Sequence, residues 1–246
     1  MKRICASLGL AAIGVASIQT AQGQSADPAK SWSVSASLRG FYDDNVNSSP
    51  TDKVESFGFG VSPSLSFSLP LEQTTIAGSY TYDYKWYEKE IRTDAGHDDQ
   101  THTLAAQLRH AFSDRLLMSV QDSFVIGSES DLLRVGDSAL GTYQRVPGTR
   151  NYGSMVFNAQ ITRPFGIEVG YANALYDYDD GDPAFGLSAR LDRMEQSAHI
   201  DGRWAIQRNT VGIVGYQFSL VDYTADLPIG YGLSSSSRNS LSHYGY

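Results

Sequence analysis

The chain has 246 residues, 41% of them hydrophobic, a net charge of −8 and one cysteine. The acidic balance excludes nucleic acid or another polyanion as the main partner, and the length suffices for one sizeable domain. No run of about eighteen apolar residues is present, which excludes a helical membrane protein.

Lys2 and Arg3 precede an apolar stretch from Ile4 to Ile18, and Ala21-Gln22-Gly23 is a small-x-small cleavage site. Residues 1–23 therefore read as a secretory signal peptide, too short and wrongly flanked for an anchor. Cys5 lies inside it, so the exported chain is expected to hold no disulfide, lipoprotein anchor or cysteine metal site. Without Lys2 and Arg3 there are 17 basic residues against 27 acidic, a net of −10. Residues 24–31 read as a short periplasmic leader, and residues 32–246 as the folded domain.

From Trp32 onward apolar and polar residues alternate, the period-two pattern of a strand with two unlike faces. Nine strands are expected over about 32–42, 56–69, 75–87, 101–112, 116–127, 152–162, from 165, 196–206 and 211–222, with a weak tenth over 241–246. The third is the clearest: Tyr80, Tyr82, Tyr84 and Trp86 share one parity, Ser79, Thr81, Asp83 and Lys85 the other. Long connections (43–53, 88–99, 128–150, 177–193 and a Ser/Gly-rich stretch before 241) alternate with short turns near 70–73, 113–115, 163–164 and 207–209. Strict long–short alternation, strands of ten or more residues and an export signal together point to one architecture. It is an all-β, antiparallel, up-and-down transmembrane β-barrel of about ten strands in the outer membrane, with its N-terminus periplasmic and acidic loops outside. A soluble sandwich requires neither feature. Its expected partners are outer-membrane lipid, lipopolysaccharide and the barrel-assembly machinery.

Aromatic residues near strand ends fit an interfacial girdle. Tyr42, Tyr84, Trp86 and Tyr87 are assigned to the loop end, with Tyr152, Tyr176, Tyr178 and Tyr223, and Trp32 and Trp204 to the turn end with Phe112 and Phe165. Two residues break the pattern. Asp122 falls on the apolar parity of strand five, where a β-bulge near Gln121 or Asp122 could redirect it, and Pro63 lies inside strand two, where a β-bulge is expected.

The polar parity holds the candidate lumen residues: Arg39, Asp83, Lys85, Gln107, Arg109, Glu168, His199, Asp201, Arg203 and Gln217. Mixed charges on one face either select solutes across an open pore or pair to plug a closed one. An outer-membrane protease-like site would use His199 as base with Asp83 and Asp201 orienting water. One His near one Asp is a poor signature, so no catalytic residue is assigned and no cofactor is expected. Asp177, Asp179, Asp180 and Asp182 form a loosely calcium-like loop that lacks the distal Glu of a calcium-binding loop. It reads as a solvated acidic loop rather than a metal site.

Two stretches carry a resemblance. Gly40-Phe-Tyr-Asp-Asp-Asn-Val46 followed by Val61-Ser-Pro-Ser-Leu-Ser-Phe-Ser68 resembles the opening of the beta-barrel porin-2 family of Gram-negative bacteria. Tyr80-Thr-Tyr-Asp-Tyr84, His102-Thr-Leu104 and Phe112-Ser-Asp-Arg-Leu116 are similar as well. The resemblance covers about Ser33 to Gly127. It implies an envelope protein, some relatives of which accompany polysaccharide export. It also implies a longer chain, consistent with Ser240 and Ser242 weakening the last strand. The expected function is a passive porin-like channel for small solutes or an export component. The alternative is a non-conducting structural or adhesive barrel acting through its acidic loops.

Overall fold

The computed structural model describes residues 31–46, 52–90, 96–130, 134–135, 138–139, 145–179, 188–225, 228–230 and 233–246. The expected signal peptide and residues 24–30 of the leader lie outside the described residues, as do Asp180 and Asp182.

The protein is all-β, with ten antiparallel strands that run up and down in chain order through one sheet. They are β1 (Trp32–Asp43), β2 (Ser56–Pro70), β3 (Thr74–Tyr87), β4 (Asp98–Ser113), β5 (Leu116–Ser130), β6 (Arg145–Gln160), β7 (Phe165–Tyr178), β8 (Arg193–Gln207), β9 (Thr210–Tyr223) and β10 (Ser240–Gly245). Among the described residues each pairs only with its neighbours in this order, and β1 and β10 are not paired with each other. Two short ribbons, Arg134–Val135 with Ser138–Ala139 and Pro228–Gly230 with Leu233–Ser234, stand in the longer connections.

All four short turns (β2–β3, β4–β5, β6–β7, β8–β9) lie at one end of the sheet, and the long connections at the other. The turns are closed locally: Leu71 N donates to Thr74 O at 2.7 Å, and Ile161 N to Phe165 O at 3.0 Å. Two-residue turns after Ser113 and Gln207 are accompanied by register shifts between Ala111 and Ser113 and between Ala205 and Gln207. Bulges at such ends let a tight turn fit the twist of its strands.

Neither expected internal bulge exists. The β2–β3 register is the same on both sides of Pro63, from Val61↔Tyr84 to Ser64↔Thr81, with only the rungs between them missing. Proline removes a donor without adding a residue, so the ladder skips a bond and keeps its register. The Ser62 hydroxyl donates to the Asp83 carboxylate across that gap. Asp122 also holds its register, opposite Ala106 and Gly153, and so stays on the apolar face. Its carboxylate accepts from Asn151 Nδ2 at 3.1 and 3.0 Å. The charge is hydrogen-bonded where it stands instead of being turned away.

Strands also extend beyond their expected limits. β6 begins at Arg145, in a stretch with Pro147 and Gly148 that reads as loop, because β5 supplies partners as far as Ser130. β4 begins at Asp98, opposite Trp86.

The two faces differ as alternation requires. One carries Leu38 (77% exposed), Val214 (75%), Trp32, Phe57, Leu65, Ile200 and Trp204, and no second layer packs over it among the described residues. Polar atoms on that face are mostly partnered across strands: Tyr80 Oη lies 2.8 Å from His102 Nδ1, and Tyr216 Oη 2.6 Å from His243 Nδ1. The other face is serine-rich and charged. Hydroxyls pair there between Ser33 and Ser66 at 2.7 Å and from Thr81 to Ser64 at 3.1 Å.

Candidate functional site

The densest chemistry lies on the polar face where β7, β8 and β9 meet. Pairing sets Glu168 opposite Asp201, His199 opposite Gly170 and Gln217, and Asp201 opposite Gly215. Glu168, His199 and Asp201 offer ligand atoms that all lie within 4.8 Å of one another. Arg203 Nη2 donates to Glu168 Oε1 at 2.7 Å, and His199 Nε2 is 3.6 Å from the same oxygen. Asp201 is 7% exposed, and its Oδ1 accepts from Tyr246 Oη at 2.7 Å.

Two glycines make this packing fit. A Cβ on Gly170 would stand 2.1 Å from His199 Cε1, and one on Gly215 would stand 2.2 Å from Asp201 Oδ1 and 2.7 Å from the Tyr246 ring. A large side chain folded over a facing glycine is a known way to hold a strand pair in register. Tyr246 reaches the cluster because its backbone pairs with Gly215 in both directions, at 2.8 and 3.1 Å. The alternation of β10 therefore puts Leu241, His243 and Gly245 on the apolar face, and Tyr244 and Tyr246 on the polar one. Nothing in the sequence pattern signals this contact; only the β9–β10 register reveals it.

The remaining candidates are spread over the other half of the sheet. Arg39 and Lys85 flank Gly60 in one row that continues to Asp99, and the Arg39 Nε lies 3.1 Å from where a Gly60 Cβ would be. Gln107 and Arg109 sit further down β4, opposite Ala77 and Thr75. Arg39 and Arg109 have no ion pair among the described residues. Gln217 donates to Ser219 Oγ at 3.2 Å. Asp83, expected beside His199 for water activation, lies on β3, separated from β8 by four strands of the sheet, and accepts instead from Ser62 on β2.

Of the girdle residues, Tyr42, Tyr84, Trp86, Trp32 and Trp204 are on the apolar face. Tyr42 Oη donates to Glu55 at 2.7 Å, and Phe59 stacks on Trp86 at 5.5 Å. Tyr87 departs from that set. It has the parity of Asp83 and Lys85, is 2% exposed and packs with Val46 and Phe41. Tyr152, Tyr176, Tyr178 and Tyr223 share the polar face too. There they form a cluster that composition alone does not signal. Arg193 lies 3.8 Å over the Tyr176 ring and donates to Glu195 at 2.6 Å, and Tyr152 meets Tyr176 edge-on at 5.8 Å. Tyr178 packs on Leu191, and its backbone N–H donates to the Asp192 carboxylate at 2.8 Å. Of the acidic loop, Asp177 is the penultimate residue of β7 and Asp179 follows the strand, its N–H donating to Pro147 O at 2.9 Å.

The chain matches no family model, and no curated protein or solved structure matches it.

Proposed function

We propose that this chain is an outer-membrane β-barrel protein acting as a passive, porin-like channel for small solutes. The observation that carries this reading is the uncovered apolar face. Monomeric soluble proteins rarely leave contiguous apolar patches beyond a few hundred Å², whereas a face like that of Leu38, Phe57, Ile200 and Val214 suits hydrocarbon. Strands β1 to β9 have 12 to 16 residues, beyond the roughly 9 to 11 that cross a bilayer. The short turns at one end and long connections at the other agree with periplasmic turns and outside loops. In this reading the edges of β1 and β10 are closed, because unpaired backbone groups cannot face lipid. The polar face then lines a lumen, lipopolysaccharide surrounds the outer rim, and the resemblance to the beta-barrel porin-2 family fits an envelope role.

Migration on SDS gels, unboiled against boiled, tests the barrel after refolding in detergent. A heat-dependent shift followed by ion conductance in planar bilayers supports the channel. A barrel that shifts but does not conduct supports the second reading, a plugged structural barrel, which the Arg193–Glu195 and Arg203–Glu168 pairs favour. β-rich material with no shift sinks both.

A further inference from the structure

We propose that Glu168, His199 and Asp201 bind one divalent metal ion of the Zn²⁺ class on the polar face. Each offers one donor, and the three donors lie within 4.8 Å of one another. One imidazole nitrogen with two carboxylate oxygens is a donor set that Zn²⁺ accepts, leaving a coordination position for water. Two ligands about 2.1 Å from a tetrahedral Zn²⁺ stand about 3.4 Å apart, and His199 Nε2 and Glu168 Oε1 are 3.6 Å apart.

Charge and packing point the same way. Glu168 and Asp201 are direct cross-strand partners on one face, an arrangement that repels when nothing bridges it. Arg203 neutralises Glu168 alone. Among the described residues Asp201, 7% exposed, receives only the neutral Tyr246 hydroxyl, and a carboxylate removed from water calls for a cation. The Tyr246 bond leaves a second carboxylate oxygen on Asp201, and it orients the group as an outer-shell partner does. Gly170 seats the His199 ring and Gly215 seats Asp201 with Tyr246, so the donors are held before any ion arrives. The competing arrangement is the set of hydrogen bonds from Arg203 and Tyr246 to the two carboxylates, which needs no metal. The site stands on strand register alone and is independent of whether the sheet closes into a channel.

The test is a calorimetric titration of the metal-free full chain in detergent with Zn²⁺ alone at neutral pH. One ion per chain is expected. His199→Ala, Asp201→Asn and Glu168→Gln should each weaken it by more than the roughly 10- to 100-fold lost with an outer-shell partner. Saturable binding that none of the three changes weakens places the metal elsewhere and overturns the proposal. Absence of saturable Zn²⁺ uptake overturns it too. Should the variants fail to fold, diethyl pyrocarbonate labelling of the unaltered chain decides the matter. Zn²⁺ should protect His199 from labelling, and unchanged labelling of His199 refutes the site.

Discussion

The two halves of the polar face carry their charges differently. Across β1–β4, Arg39 faces Gly60 and Arg109 faces Thr75 and Ser119, neither with an ion pair among the described residues, while Lys85 lies between Gly60 and Asp99. Across β7–β9, Glu168, His199, Asp201 and Arg203 touch one another and are completed by Tyr246. Both halves obey the same alternation, so the difference lies in what each charge meets on the neighbouring strand. A charge opposite glycine or a small hydroxyl has no charged partner across the strand, whereas one opposite or diagonal to another charge is drawn into an internal network. Under the channel reading, the first half sets selectivity and the second holds the wall together.

The sharpest way to break that comparison is to reverse the free charges. Arg39→Glu combined with Arg109→Glu should move the conducting barrel's preference toward cations in bilayer reversal-potential measurements. A conducting barrel with unaltered selectivity would mean that this half does not line the path. Next in size is a steric contrast between glycines. Gly170→Ala should destabilise the folded state by about 1 to 3 kcal/mol, because the His199 ring must leave its seat. Gly40→Ala, whose nearest neighbour would be 4.0 Å away, should stay within about 0.5 kcal/mol. Urea unfolding followed by gel migration measures both.

Arg203→Met should cost about 1 kcal/mol, a figure kept small because the side chain is 43% exposed and partly screened. Arg109→Met, with no ion pair among the described residues, should leave the unfolding midpoint unchanged. A comparable loss in both variants would erase the distinction between the halves. The smallest effect is expected at Asp122. Asp122→Asn keeps an acceptor for Asn151 and removes a charge from the apolar face, so stability should rise by less than about 1 kcal/mol. A clear fall would show that the charge itself is needed there.

Much of the fold was legible because alternation is local. A residue and its second neighbour decide which face is apolar, and β1, β3, β5 and β9 fall within a few residues of their expected limits. Legibility failed where a partner strand overrode local composition. Pro147 and Gly148 belong to β6 because Ser128 and Gly127 pair with them, and Pro63 sits in an unbroken register because a missing donor shifts nothing. Tyr87, Tyr152, Tyr176 and Tyr178 were grouped by nearness to strand ends, yet parity puts them on the polar face. The candidate set contained Glu168, His199, Asp201 and Arg203, but nothing in their spacing favoured Glu168 over Asp83 as the neighbour of His199.

The amino-acid sequence by itself determined the class, the strand count and the polarity of each face, since these follow from a period of two and from connection length. Tertiary structure alone decided which residues meet: His199 over Gly170, Glu168 opposite Asp201, Tyr246 on Asp201 and Asn151 on Asp122. Those contacts depend on the register between strands, and a slip of one residue would reverse every face. Register is set jointly by two turns and two strands, so no single stretch of the chain contains it.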